Sequence, residues 1–95
     1  HYPYSEAFLD LADEFGILVV DEVFSINLDF RRVNAATLAS HKAAVSELIA
    51  RDKNRTCVIA WSLANEPGYL AEPEYREKSA PYWAELFAHA RAADP

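Results

Sequence analysis

The chain has 95 residues, 52% apolar and 13% aromatic, with 15 acidic side chains against 9 basic ones and a net charge of −6. So high an apolar fraction excludes a disordered chain, and the acidic balance lacks the basic footprint that nucleic-acid binding needs. The single cysteine excludes an internal disulfide and a cysteine-based metal site, and no apolar run approaches the roughly 20 residues of a membrane-spanning helix.

Residues 5–15 predict a first helix. Ser5 can accept an orphan backbone N–H as its N-cap, and Glu6 and Asp10 lie near the positive end of the dipole. Phe8, Leu11, Ala12 and Phe15 recur at helical spacing and form one apolar face. Gly16 stands where a helix stops in the left-handed conformation.

Residues 17–20 (Ile-Leu-Val-Val) follow as a short β-branched run, the pattern of a strand buried on both faces. It leads into Asp21 and Glu22. Residues 23–34 show no clean period and predict a loop. A second helix spans residues 35–51, with Leu38, Val45, Leu48 and Ile49 inward. Residues 51–55 predict a polar, solvated turn. Residues 57–61 are the second buried strand, and residues 62–68 leave it. Pro73 and Glu74 open a third helix, on which Tyr75, Ser79, Tyr82, Leu86 and Ala90 share a face.

Buried strands alternating with helices predict an α/β fold with a parallel sheet and helical crossovers. Two strands do not make a stable sheet by themselves. Neither end has the look of a domain end. The chain is therefore expected to be an excerpt, residues 1–95 forming part of one larger domain with no internal boundary.

In parallel α/β architectures chemistry collects at the carboxyl ends of the strands. That rule selects Asp21-Glu22 after the first strand and Asn65-Glu66-Pro67 after the second. His1 and Tyr2, just ahead of the first helix, would sit at the end of a further strand. Glu66 follows an apolar strand and Trp61, so a partly desolvated carboxyl there could hold a proton for delivery. Asn65 could hydrogen-bond a substrate hydroxyl. The plainer alternatives are a loop glutamate in water for Glu66 and a structural network for Asp21 and Glu22. His41 and His89 fall on helices, either solvent-facing or packed. No histidine pair has the spacing of a zinc site, so no metal is assigned. Cys57, at the start of a buried strand, has the character of a small core residue.

Three blocks carry a family resemblance. Residues 61–67 (Trp-Ser-Leu-Ala-Asn-Glu-Pro), preceded by residues 51–55 (Arg-Asp-Lys-Asn-Arg), resemble the acid/base signature of glycoside hydrolase family 2. Residues 1–6 (His-Tyr-Pro-Tyr-Ser-Glu) and 16–22 (Gly-Ile-Leu-Val-Val-Asp-Glu) resemble two further blocks of that family, in the right order. Within it, the first block and the Arg-Asp-Lys-Asn run look most like β-glucuronidases. The Glu-Thr-His-Gly element of β-galactosidases is missing; residues 23–28 read Val-Phe-Ser-Ile-Asn-Leu. Residues 28–39 match no family pattern.

The resemblance implies part of a (β/α)8 TIM barrel, from the end of strand 2 through helix 4. It implies a retaining hydrolase of terminal β-D-glucuronides, with Glu66 as general acid/base and Asn65 and His1 binding the sugar. Asp21, Glu22 and Trp61 would support the pocket. The nucleophile and the residues that read the glucuronate carboxylate would lie downstream, so the 95 residues alone would be inactive. A carbohydrate is the implied partner, with no cofactor, no nucleic acid and no membrane, and self-assembly of the full-length protein stays open. The alternatives are a β-galactosidase or other family 2 glycosidase, or a non-catalytic α/β sugar-binding module. One buried cysteine is compatible with a cytoplasmic setting without requiring it.

Overall fold

The structure is a computed structural model that describes residues 1–68 and 73–95. Its elements run α1 (Glu6–Phe15), β1 (Val19–Glu22), α2 (Ala35–Asp52), β2 (Val58–Ser62) and α3 (Pro73–Ala93). β1 and β2 pair in parallel, with α2 as the crossover between them. Parallel neighbours cannot be joined by a tight turn, so a helix returns the chain to the start of the sheet.

Local signals at the helix ends act as the sequence suggests. The Ser5 hydroxyl accepts the Phe8 N–H at 3.2 Å. Gly16 stops α1 at φ 68°, in the left-handed region that suits glycine. α2 begins on a cap that the sequence reading did not single out. The Asn34 side chain accepts from Ala36 and Thr37, and Thr37 Oγ1 accepts the Asn34 N–H in return.

Both strands lie later than the apolar runs predict. Ile17 N–H is spent on the Ala12 carbonyl at 2.9 Å, completing the stop of α1. The sheet ladder therefore opens only at Val19, whose N–H donates to the Cys57 carbonyl at 2.8 Å. As a result Asp21 and Glu22 are inside β1, opposite Trp61 and Ser62, rather than beyond its end.

Within these 95 residues one face of the sheet is covered. Val19 and Asp21 point inward, whereas Val20 on the opposite face is half exposed. Ile17, Leu18 and Ile59 are exposed as well. Two neighbouring strands with helices on one side cover one face, and β-alternation leaves the other open.

α1 is covered along only part of its predicted face, at Ala12, together with Leu9. Leu9 and Ala12 are buried against Val19 and Cys57, while Phe8, Leu11 and Phe15 stay exposed. Cys57 is a core residue, as its position suggests. The larger core lies between α2, α3 and the loops. Val45, Leu48 and Ile49 of α2 meet Tyr75, Tyr82, Leu86 and Ala90 of α3, with Val23, Phe30 and Leu63 between them.

The charged segment at residues 51–55 is a solvated turn only in part: Arg51, Lys53 and Asn54 are exposed. Asp52 is completely buried. Arg51 clamps it, its Nε lying 2.9 and 2.8 Å from the two carboxylate oxygens. Arg55 adds a contact at 3.4 Å while reaching Asp10 of α1 at 2.6 Å. A buried carboxylate is tolerable only when paired in this way.

Candidate active site

The carboxyl ends of β1 and β2 face the same way because the strands are parallel, and pairing continues past them. Ile26 and Asn65 form a parallel bridge. The Asn65 N–H donates to the Ser25 carbonyl at 2.7 Å, and the Asn27 N–H to the Asn65 carbonyl at 3.2 Å. These bonds fix the turn that follows β2 against the loop that follows β1. Glu66 comes next, at φ 44°. A side chain in the left-handed region is strained, and such strain clusters at functional positions.

Glu66 lines a cleft of about 450 Å³ with Asn27, Leu28, Asp29, Arg31, Gly68 and Tyr75. Asp29, Arg31 and Tyr75 form a charged wall of this cleft. Asp29 accepts from Arg31 Nε at 2.9 Å, from Arg31 Nη2 at 3.1 Å and from the Tyr75 hydroxyl at 3.1 Å. These donors, Arg31 foremost, hold the Asp29 carboxyl well below the usual carboxylate range. The Arg31 guanidinium also lies 5.9 Å from the centre of the Tyr75 ring. Sequence reading missed this wall. Its one local trace is the Asp29-Phe30-Arg31 turn, in which the Arg31 N–H folds back onto the Asp29 carboxylate at 3.0 Å.

Glu66 itself is exposed. The expected partial desolvation beside Trp61 is absent, because Trp61 faces elsewhere. Its indole N–H donates to Asp94 at 2.8 Å. It lines a separate recess with Trp83 and Phe87. Asn65 is partly buried, and its amide nitrogen has no hydrogen-bond partner among the described residues.

The remaining predicted residues form two further groups. Glu22 accepts from the Ser62 hydroxyl, and the His1 backbone nitrogen lies against its other carboxylate oxygen. The His1 ring packs against Tyr2, which stacks on Phe24. Asp21 is fully buried and accepts the Glu22 and Tyr4 N–H groups at 3.1 and 3.5 Å. Burial, then its hydrogen bond with Asp52, pushes the Asp21 carboxyl up to about 6. Both α2 and α3 histidines are packed: His41 is buried, and His89 Nε2 lies 2.7 Å from Ser46 Oγ. Among the described residues no cluster of histidine, cysteine and carboxylate side chains could hold a metal ion, and no helix is long and apolar enough to cross a membrane.

Comparison with known proteins bears on this arrangement. The family model "Glycosyl hydrolases family 2, TIM barrel domain" matches residues 1–95. The chain is 40% identical to a β-glucuronidase of Paenibacillus borealis, covering 100% of this chain and 17% of that protein. It is 36% identical to the β-glucuronidase of Sus scrofa, covering 100% of this chain and 14% of that protein. A solved Bifidobacterium dentium β-glucuronidase, complexed with coumarin-3-O-glucuronide, superposes with a TM-score of 0.89 at 37% identity, over 100% of this chain and 15% of that one. A Ruminococcus gnavus β-glucuronidase with a C6-substituted uronic isofagomine gives 0.85 at 41%, over 99% and 16%.

Proposed function

The chain belongs to glycosyl hydrolase family 2, within its TIM-barrel domain, and from that membership we propose that it forms part of a retaining hydrolase of terminal β-D-glucuronides. The barrel has eight strands, and we place residues 1–95 between the end of its second strand and its fourth helix. The β-glucuronidase relatives and the ligands of their solved structures favour the glucuronide over other β-glycosides.

The observation that carries the reading is Glu66. Among the described residues it is the carboxylate that the turn after β2 brings to the cleft, and it follows an asparagine whose amide nitrogen has no partner there. An acid/base residue must exchange its proton twice per turnover, so access to substrate and water matters more than a fixed ion-pair partner. In the first step Glu66 donates its proton to the glycosidic oxygen as the bond to the anomeric carbon breaks. A second glutamate, outside these 95 residues, takes that carbon as a glycosyl ester; in retaining enzymes the two carboxyl groups lie about 5–5.5 Å apart. In the second step Glu66, now a carboxylate, removes a proton from the water that displaces the ester.

The Asn65 amide would hydrogen-bond the sugar 2-hydroxyl, and His1 would contribute to sugar binding. Glu22 and Asp21 would support the pocket rather than touch the sugar: Glu22 accepts from Ser62, and Asp21 from the Tyr4 and Glu22 N–H groups. Trp61 supports the strand from its other side.

Turnover of chromogenic β-glucuronide, β-galactoside and β-mannoside by the complete protein that carries this chain tests the substrate class. Preference for the glucuronide is expected; preference for the galactoside would overturn it.

A further inference from the structure

The buried imidazole of His41 touches the segment that delivers Glu66. His41 lies on α2 and is 6% exposed. Its Nε2 is 2.7 Å from the Leu63 carbonyl oxygen, and its Nδ1 is 2.8 Å from the Tyr82 hydroxyl. A carbonyl only accepts, so Nε2 carries the hydrogen. Nδ1 is then an acceptor, and Tyr82 donates to it. One arrangement of hydrogens satisfies all three groups, and it joins α3, α2 and the exit of β2.

Leu63 is the first residue beyond β2, so its carbonyl has left the sheet ladder while remaining in a buried segment. A buried carbonyl needs a donor, and among the described residues no backbone N–H supplies one. Three residues later the chain reaches Glu66. The far side of the same turn is held by the Asn65 bonds to Ser25 and Asn27. His41 thus supplies the second of two anchors.

We propose that His41 is a positioning residue for Glu66, fixing the turn after β2 through the Leu63 carbonyl while Tyr82 sets which ring nitrogen bears the hydrogen. Burial keeps His41 below the ordinary histidine range and hence neutral near pH 7, as this pattern requires. The proposal rests on Glu66 being the acid/base residue.

The test compares kcat/KM of the complete protein on phenyl and dinitrophenyl β-glucuronides. Phenolate leaves poorly without a proton, whereas dinitrophenolate leaves unaided, so a displaced acid hurts the first substrate far more. His41→Phe is expected to lower kcat/KM on the phenyl substrate roughly tenfold, since small misplacements are costly in catalysis. On the dinitrophenyl substrate it should change by less than about twofold, as proton donation contributes little there. His41→Gln, whose amide reaches the Nε2 position, should recover most of the loss. Tyr82→Phe should show the same leaving-group pattern at roughly threefold, and it carries the test if His41→Phe does not fold. In a Glu66→Gln background, His41→Phe should add no further loss on the phenyl substrate.

Equal losses on both substrates, full additivity with Glu66→Gln, or no loss in any His41 or Tyr82 variant would overturn the proposal. If Glu66→Gln alone left phenyl-glucuronide turnover intact, the acid/base reading would fall first and this one with it.

Discussion

Asp21 and Asp52 are two fully buried carboxyl groups, and after burial itself it is Asp52 that most raises the pKa of Asp21. Two adjacent buried carboxyl groups are most stable with one proton between them. Arg51 and Arg55 surround Asp52, and burial, which would raise its pKa, is outweighed by those cations and by Asp21, so Asp52 is the ionised partner. Among the described residues the Asp21 Oδ2 atom has no donor. Ionised, it would be an unpaired buried charge; protonated, it becomes a donor.

The pair makes a pH prediction whose sign is unusual for a carboxyl group. The folded protein holds the Asp21 proton up to about pH 6, whereas the unfolded chain releases it near the model-peptide value of 3.8. The stability due to this group is therefore fully present below 3.8 and lost as pH rises through about 6. Asp52 acts oppositely, but its lowered value places its contribution below that window. Asp21→Asn keeps a neutral donor to Asp52. It should remove the decline and leave the protein at least as stable near pH 7, as melting temperatures measured across the window will show. An unchanged pH slope in Asp21→Asn would contradict the shared proton.

Arg51 should matter more than its position in a charged turn implies. Removing it leaves Asp52 buried with a single cation among the described residues, Arg55 at 3.4 Å. Arg51→Met is expected to cost about 3 kcal/mol, the low end for breaking a buried pair, since Arg51 is partly exposed. Arg32→Met, whose 3.8 Å bridge to Asp29 is solvent-exposed, should cost under about 1 kcal/mol. Denaturation of the two variants side by side is the check, and equal losses would contradict the ranking.

Gly68 closes the cleft next to Glu66. Its φ is 65°, and a Cβ there would lie 2.9 Å from the Tyr75 ring and 3.1 Å from the Leu28 carbonyl oxygen. Gly68→Ala must therefore bear backbone strain and push Tyr75 away from Asp29, at a cost of about 1–3 kcal/mol. The cleft should distort with it, so KM for the glucuronide should rise as stability falls. A variant with wild-type melting and KM would show that the Tyr75 wall gives way freely.

Backbone strain at Glu66 can be separated from its chemistry. At a left-handed position glycine is favoured over alanine by about 1 kcal/mol. Glu66→Gly should thus be more stable than Glu66→Ala by about that amount, with both impaired in catalysis. Equal stability of the two variants would mean that the φ of 44° is not retained in the complete protein.

Much of this was legible in the sequence where local chemistry decides. Ser5 and Gly16 bound α1 because a hydroxyl and a missing Cβ act within one turn. The Asn65-Glu66-Pro67 turn falls at a strand's carboxyl end because the order of elements already requires parallel pairing. Features that depend on distant partners were not legible. Asp52 lies in a run of charges that any local reading sends to water; its burial is set by Asp21 and by Arg55 reaching α1. The Asp29–Arg31–Tyr75 wall joins a loop to α3 across the whole second half of the crossover unit. The apolar runs at residues 17–20 and 57–61 announced demand for cover on two faces, but periodicity does not say which neighbours supply it.

The most direct test of the central assignment is the Glu66→Gln variant of the complete protein, assayed on phenyl β-glucuronide. Glutamine keeps the size of the side chain and removes only its capacity to give and take a proton. Turnover should fall by roughly 10²–10⁴, the span that positioned proton transfer contributes, while the melting temperature stays at the wild-type value. Undiminished turnover in a folded Glu66→Gln protein would contradict the role assigned to Glu66.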